Sequence, residues 1–208
     1  MDGSQHPEFP LFLLSLVALP TEVIPLHIFE ERYLEMFKTC IEQEQEFGVL
    51  WRADDGLQEV GCSCRIQSIT ARHDDGSVDV VTQGVAPFRV LKRQDHLPYP
   101  AAVVEFLDDL PQPQDSELLQ EARGAYASLV EEATGQVPDQ QRLATMGAYA
   151  MAATVEFGPE AKQTLLSLRS EQERLELVTR LFRAADKRLE LVDRAQVRAR
   201  SNGKVRFR

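Results

Sequence analysis

The stretch PLHIFEERY, residues 25–33, is the point at which the sequence changes from a strand pattern to a helix pattern. It completes the extended segment EVIPLHIF, and Pro25 confines that strand to a sheet edge or a bulge because proline donates no ladder hydrogen bond. From Tyr33 onward, apolar residues recur at helical spacing through EERYLEMFKTCIEQEQ. Glu30 and Glu31 suit the first turn of that helix, where negative charge is favoured. The stretch therefore predicts a strand that leads directly into a helix.

Strand patterns lie on both sides of this helix. LFLLSLV (11–17) is a continuous apolar run, FGVLWRA (47–53) follows the helix, and apolar residues alternate in LQEVGCSCRIQS. Asp75-Gly76 separates two further strand-like runs, which indicates a hairpin turn. About seven strands and one helix predict a small, closed or nearly closed β-rich domain over residues 1–109.

The second half of the sequence is helical. The segment 110–116, rich in Asp, Pro and Gln, predicts a linker. Residues 117–200 predict a helical subdomain, whose long last helix begins with a capping box at Ser170. Residues 201–208 form a basic tail, for which we expect disorder.

Two earlier helices are predicted within this subdomain. An apolar stripe ends at Gly135, which suits a helix C-cap. A second helix is predicted from about Pro138 to Gly158. Its many alanines and glycines would let a neighbouring element approach closely.

The distribution of charge argues against general binding to nucleic acids. The chain has 208 residues and a formal net charge of −10, and an acidic surface repels phosphate backbones. The segment from Lys187 to Arg208 contains eight basic and two acidic residues, so its net charge is +6. The rest of the chain therefore has a net charge of −16. This segment can be a solvated helix end, or it can contact an acidic partner, a phosphate or the protein's own acidic body.

Cysteine content and hydropathy predict a cytoplasmic protein that is not in a membrane. Cys40, Cys62 and Cys64 are an odd number, which is unlike a secreted disulfide scaffold. The apolar run FPLFLLSLVALP has no basic residue before it and is far shorter than the ~20 residues of a membrane span. We interpret it as a buried strand.

Cys62 and Cys64 are the first candidates for chemistry. Residues two apart on a strand point to the same face, so both sulfurs could reach one metal ion or one redox partner. A structural zinc site needs four ligands, and no second pair of cysteines completes one. Packing of small thiols in the core explains the same pattern. Both interpretations stay open, and no cofactor or metal is predicted.

His27 is the second candidate. Its spacing to Glu30 and Glu31 would suit a metal site on a helix, but Pro25 places His27 in extended chain. As a general acid or base, His27 would need an orienting partner and a cleft, and fixing the strand-to-helix joint is the simpler role. His73 lies in a loop-like segment and receives no role. The sequence has no phosphate-binding loop, G-x-S-x-G elbow or G-x-G-x-x-G turn, and we predict no enzymatic activity.

PLHIFEERY is one of several ordered motifs. The others are LFLLSLVALPTEVI before it, and FGVL (47–50), VGC (60–62), DDGSVDVVTQG, PFRV (87–90) and LPYPAAVVEFLDD after it. Together they resemble the signature of the Lon-protease N-terminal, substrate-binding domain family over residues 9–109. LLSLRSEQERLELVTRLF resembles the closing helix of that family. The sequence departs from the signature at Thr21, which replaces a glycine, at Glu31, which replaces a proline, and at Pro87, which replaces an arginine.

The resemblance implies an α+β fold, with an N-terminal PUA-like pseudo-β-barrel that has one inserted helix, followed by a C-terminal α-helical bundle. It implies a stand-alone member without the ATPase and peptidase modules of the full-length protease, and therefore a non-catalytic module. The expected partners are unfolded or tagged polypeptides, which an adaptor of this kind would deliver to a separate protease or chaperone. An exposed sheet edge or an apolar groove of a β-domain can hold such a chain.

The polar members of the signature, His27, Glu30, Arg32 and Tyr33, are the predicted peptide-binding residues, since positions needed only for packing could be aliphatic. The alternative is that Arg32 pairs with a carboxylate and Tyr33 makes a hydrogen bond, so that both lock the helix onto the barrel. Two other functions stay open. PUA-like folds also bind RNA, which the net charge opposes, and the cysteine pair could serve a metal or redox protein.

Overall fold

A computed structural model describes the backbone of residues 5–113 and 115–202, and the side chains of residues 6–113 and 115–192. The basic tail predicted for residues 201–208 lies outside the described residues, apart from the backbone of its first two. The elements in chain order are β1 (Gln5–Leu14), β2 (Val23–Ile28), α1 (Glu31–Glu42), β3 (Phe47–Ala53), β4 (Gly56–Leu57), β5 (Val60–Arg72), β6 (Val78–Gln94), β7 (Ala101–Phe106), α2 (Ser116–Thr134), α3 (Gln140–Thr145), α4 (Ala148–Ala152), α5 (Pro159–Ser167) and α6 (Glu171–Asn202).

The chain divides into two compact units. The first contains the described residues up to Pro111 together with 152–170, and the second contains the described residues of 112–151 and those from Glu171 onward. All seven strands and helices α1 and α5 lie in the first unit, while α2, α3 and α6 lie in the second.

The strands of the first unit close into a barrel. Neighbouring strands pair in the order β1-β7-β6-β5-β3-β4, and β1 also pairs in parallel with β3 over residues 11–14. This last pairing joins β1, β7, β6, β5 and β3 into a ring. β2 pairs with the first half of β6, outside the ring. The predicted α+β class, a barrel with one inserted helix followed by helices, is confirmed.

Aromatic and aliphatic side chains fill the barrel. The buried cluster consists of Phe9, Leu11, Leu50, Phe88, Ala102 and Val104. Helix α1 packs on the barrel through Phe37, whose ring centroid lies 5.5 Å from that of Phe12 and 4.8 Å from that of Phe47. The helix begins where the sequence predicts. Its apolar side packs on the barrel.

The connection from β1 to β2 is bound to the middle of β6. The amide of Thr21 donates to the carbonyl of Gly84 (2.8 Å), and the amide of Gly84 donates to the carbonyl of Glu22 (2.9 Å). A Cβ at Gly84 would lie 2.0 Å from the carbonyl oxygen of Leu19, so glycine is required there. Thr21 has a φ of 69°, in the left-handed region that β-branched residues rarely adopt. At this position the family signature has glycine.

Helix α5 packs on the barrel through a buried ion pair. Nζ of Lys162 lies 2.6 Å from Oε1 of Glu22, and the two side chains are only 10% and 14% exposed. Oε2 of the same carboxylate accepts a hydrogen bond from the amide of Leu19 (2.9 Å). Nε2 of Gln163 also donates to the carbonyl of Val60 (3.0 Å).

These contacts explain why residues 152–170 group with the barrel in the structure. The sequence pattern of α5 is helical, and we therefore assigned it to the helical subdomain 117–200. Helical periodicity reports the local conformation of a segment and not its packing partner. The predicted division, with a linker at 110–116, remains a prediction.

Helices α2 and α6 form the core of the second unit. Oδ1 of Asp115 caps α2 by accepting hydrogen bonds of 3.0 Å from two amides of the first turn. The helix ends at Gly135, whose φ of 69° closes it as predicted. The rings of Tyr126 on α2 and Phe182 on α6 meet edge to face, with centroids 5.5 Å apart.

The second helix predicted for this unit is wrong in length, because the chain forms two short helices, α3 and α4. At the break, the amide of Ala148 donates to Oε1 of Glu171 (2.8 Å). The carbonyl of Met146 accepts from Nε of Arg123 (3.0 Å). Since these side chains satisfy the backbone groups, the helix can end there without leaving them unpaired.

All three cysteines are buried and free. Burial raises the pKa of Cys40 to about 11. Burial, and secondly the hydrogen bond with Cys64, raises the pKa of Cys62 well above its usual value. Metal binding and redox chemistry require a thiolate, which an electropositive or partly exposed setting favours. The geometry therefore supports the interpretation of the cysteines as core-packing residues.

We expect these thiols to be unreactive in the folded protein. At pH 8 a thiol whose pKa is about 11 carries at least ~100-fold less thiolate than a free cysteine, so Cys40 should react that much more slowly with a disulfide reagent. The rate is followed by absorbance with and without urea, and complete reaction of the three thiols in urea is the control. Rapid reaction of one thiol in the folded protein would contradict their assignment to the core.

Lys162→Met should lower the free energy of unfolding by about 3 kcal/mol, because it leaves the carboxylate of Glu22 buried without its cation. The double variant Glu22→Gln, Lys162→Met removes both charges and should recover most of that loss. Urea denaturation measures both variants. A double variant no more stable than the single one would show that the loss does not come from the unpaired carboxylate of Glu22.

Thr21→Gly should raise the free energy of unfolding by about 0.5–1 kcal/mol, because relief of the left-handed conformation outweighs the added flexibility of the unfolded chain. Thr21→Ala is the matched control, since alanine keeps the Cβ and should gain much less. Thermal and urea denaturation report the difference. Destabilisation by glycine would mean that the threonine side chain contributes more than its backbone strain costs.

Candidate functional site

The junction between β2 and α1 positions the four predicted site residues. Along β2, even-numbered residues are buried and odd-numbered residues are exposed, so His27 faces outward. Glu30 is the N-cap residue of α1, with extended backbone angles, and its side chain does not cap the helix. Arg32 and Tyr33 belong to the first turn.

A cleft of about 350 Å³ lies at this junction. Its lining residues come from the end of β1, the end of β2, the start of α1 and strand β3: Phe12, Leu13, Leu14, Ser15, His27, Ile28, Phe29, Glu30, Tyr33 and Arg52. We call it the β1–β2 cleft. It brings together three of the four predicted residues, His27, Glu30 and Tyr33, whereas Arg32 is not among the lining residues.

Arg32 is paired with Glu30, its neighbour in the predicted set. Its Nη2 and Nε donate to Oε2 of that carboxylate at 2.7 Å and 3.0 Å. The guanidinium also lies over the ring of Tyr33, 4.6 Å from its centroid. This part of the arrangement matches the structural alternative, in which Arg32 pairs with a carboxylate. An exposed pair of this kind contributes little to stability.

Tyr33 does not match the structural alternative, which requires its hydroxyl to make a hydrogen bond. The residue is only 2% exposed, and its ring packs edge to face on Phe12 with centroids 4.4 Å apart. The hydroxyl oxygen is buried and has no hydrogen-bond partner among the described residues. A buried hydroxyl without a partner costs about 1–3 kcal/mol. Tyr33 therefore lines the cleft and carries a buried hydroxyl whose hydrogen-bonding capacity is unused.

Phe29 is a cleft residue that our sequence prediction missed. Its side chain is 66% exposed, and its ring stacks on His27 with centroids 5.9 Å apart. The alternation that turns His27 outward also turns Phe29 outward, so the signal was present in the sequence. We missed it because the prediction took only the polar members of the signature.

His27 has a hydrogen-bond partner, Asp79, that the sequence did not reveal. Asp79 lies directly opposite His27 in the β2–β6 ladder, and Oδ1 of Asp79 is 2.6 Å from Nδ1 of His27. Oδ2 of the same carboxylate is 2.9 Å from Nε2 of His73. The hydrogen bond from His27, and then that from His73, lowers the pKa of Asp79. Imidazole and carboxylate groups both bind transition metals, so this cluster could hold a metal ion.

In the part of the chain that the structure describes, no helix is both long enough and apolar enough to cross a bilayer.

The solved structures that are similar to this chain include two Lon N-terminal domains. The crystal structure of a Lon N-terminal domain protein from Xanthomonas campestris is 23% identical, with a TM-score of 0.63 over 83% of this chain and 95% of that one. The N-terminal domain of the Mycobacterium avium complex Lon protease is 15% identical, with a TM-score of 0.61 over 86% of this chain and 98% of that one. At these identities the likeness shows a shared fold.

The sequence comparisons agree with this fold. A Lon protease from Paraburkholderia phytofirmans is 25% identical in an alignment of 194 residues that covers 84% of this chain and 24% of the relative. The chain thus spans about a quarter of the length of that relative. The family model described as ATP-dependent protease La (LON) substrate-binding domain matches residues 8–184, well over half of the chain. The chain therefore belongs to the LON substrate-binding domain family.

Proposed function

We propose that this protein is a non-catalytic module that binds an extended segment of polypeptide in the β1–β2 cleft. The observation that carries the proposal is a cleft lined by the exposed ring of Phe29 and by Tyr33, whose buried hydroxyl has no hydrogen-bond partner among the described residues. The family description, a substrate-binding domain of an ATP-dependent protease, supports polypeptide as the class of ligand. The predicted residues His27, Glu30, Arg32 and Tyr33 are part of this proposal.

The cleft offers an extended chain two kinds of contact. If a bound peptide moved the groups that cover the Tyr33 hydroxyl, a peptide carbonyl or amide could pair with it and so remove the cost of leaving it unpaired. The ring of Phe29 offers apolar surface to a side chain. Two strand segments at the cleft pair with a neighbour on one edge only, among the described residues. Residues 12–14 of β1 pair with β3, and residues 23–28 of β2 pair with β6. Their second edges are compatible with strand addition.

The absence of catalysis is also part of the proposal. Nucleophilic catalysis by a hydroxyl or thiol needs that group to lie within hydrogen-bond distance of a general base. Ser15 lines the cleft, but no hydrogen bond joins it to His27 among the described residues. Burial raises the pKa of the Cys40 and Cys62 thiols, and all three cysteines lie in the core.

We extend the proposal to an adaptor that delivers bound polypeptides to a separate protease or chaperone in the cytoplasm. The three free cysteines suit a reducing compartment. RNA binding is the less favoured function, because a net charge of −10 repels a phosphate backbone.

The proposal predicts micromolar binding of a fluorescent, permanently unfolded model protein, measured by anisotropy against the folded form of the same protein. Phe29→Ala should weaken binding about tenfold, as loss of an aromatic anchor does. Tyr33→Phe should weaken binding several-fold and yet stabilise the free protein, because it removes the unpaired hydroxyl. A structural role for that hydroxyl would instead make Tyr33→Phe destabilising.

Ile41→Ala is the matched control. Ile41 is also exposed and apolar, but it lines a separate groove beside α1. Its replacement should leave the affinity unchanged. If Ile41→Ala weakens binding and Phe29→Ala does not, the ligand occupies that groove and not the β1–β2 cleft. Equal binding of folded and unfolded forms would contradict polypeptide capture, and steep salt dependence with a generic RNA would favour the nucleic-acid alternative.

A further inference from the structure

His27, His73 and Asp79 form the one group of three or more potential metal ligands found among the described side chains. Their nearest ligand atoms, two imidazole nitrogens and a carboxylate oxygen, lie within 4.8 Å of one another. The three residues come from β2, from the turn after β5 and from β6. They are therefore assembled by the fold and not by a local sequence motif.

The backbone holds each of the three positions. His27 and Asp79 are direct partners in the antiparallel ladder, so their side chains project from the same face. His73 begins the β5–β6 turn, where its amide donates to the carbonyl of Ser77 (2.9 Å) and its carbonyl accepts from the amide of Gly76 (3.0 Å). The positive φ of Gly76, 87°, closes that turn. The cluster thus has preset backbone positions, and only its side chains need to move.

The side chains are accessible to an ion from solvent. Those of His27 and Asp79 are 53% and 36% exposed, and that of His73 is 43% exposed. In the present arrangement the carboxylate accepts a hydrogen bond from each imidazole, at 2.6 Å and 2.9 Å. One divalent ion can replace the two bridging protons and be bound by the same three groups.

We propose that His27, His73 and Asp79 bind a Zn²⁺ ion beside the β1–β2 cleft. Two imidazoles and one carboxylate suit Zn²⁺, with a water molecule completing a tetrahedron. Mg²⁺ and Ca²⁺ prefer oxygen ligands and are expected to bind poorly. Bond lengths near 2.0–2.2 Å would draw the ligand atoms to roughly 3.3 Å from one another, a shift that exposed side chains can make by rotation. This inference does not depend on polypeptide binding.

The test is titration of the full chain with Zn²⁺ by isothermal calorimetry, with metal content after dialysis measured by mass spectrometry. We expect one ion per chain. His73→Ala and Asp79→Asn should each weaken binding more than ~10-fold, since even loss of a supporting residue around a metal site costs that much. Co²⁺ provides a second readout, because ligation by nitrogen and oxygen in a tetrahedron gives an intense visible absorption that the variants should lose.

His96→Ala is the matched control. His96 is an exposed histidine whose Nε2 lies 2.9 Å from Oε1 of Glu8, so it reproduces one imidazole–carboxylate pair without a second imidazole. Its replacement should leave Zn²⁺ affinity unchanged. Circular dichroism checks that every variant is folded, and His73→Gln is a second variant if alanine disturbs the turn. Absence of binding, or equal affinity in wild type and the folded His73 variants, would overturn the site.

Discussion

Antiparallel pairing of β2 with the first half of β6 is the interaction on which the candidate site depends. It holds β2, which pairs with β6 outside the barrel ring, and β2 leads the chain directly into α1. The same ladder sets His27 opposite Asp79. Close approach of the β1–β2 connection to Gly84 fixes the start of that pairing, because any side chain there would meet the carbonyl of Leu19. Without this ladder neither the cleft nor the histidine cluster would form.

The polar groups at the junction are satisfied to different degrees. Glu30 and Arg32 bind each other at the surface, so water could replace their contact at little cost. Tyr33 is held by aromatic packing, and its hydroxyl is buried without a partner among the described residues. A folded protein that keeps such a group gives up free energy for it. This contrast favours Tyr33 over Arg32 as the residue of the signature whose polarity serves a ligand.

Much of the fold could be predicted from local patterns. The change of period at PLHIFEERY located the start of α1, and Asp75-Gly76 located the β5–β6 turn, because both depend on residues close together in the chain. The prediction of one long helix after Pro138 was wrong. Glu171 and Arg123 bind the backbone where α3 ends and α4 begins. These two residues are distant in sequence, so helix propensity alone could not reveal the interruption.

Apart from the helix expected after Pro138, the sequence by itself determined most strands and helices, the class of fold and the family, because periodicity, turn residues and ordered motifs are local properties. It also indicated three of the residues that line the cleft. Only the tertiary structure decided that His73 joins His27 through Asp79, that α5 packs on the barrel through Lys162, and that the hydroxyl of Tyr33 is left unpaired. The physical reason is that strand register and side-chain burial set these contacts, and both arise from pairing between distant segments of the chain.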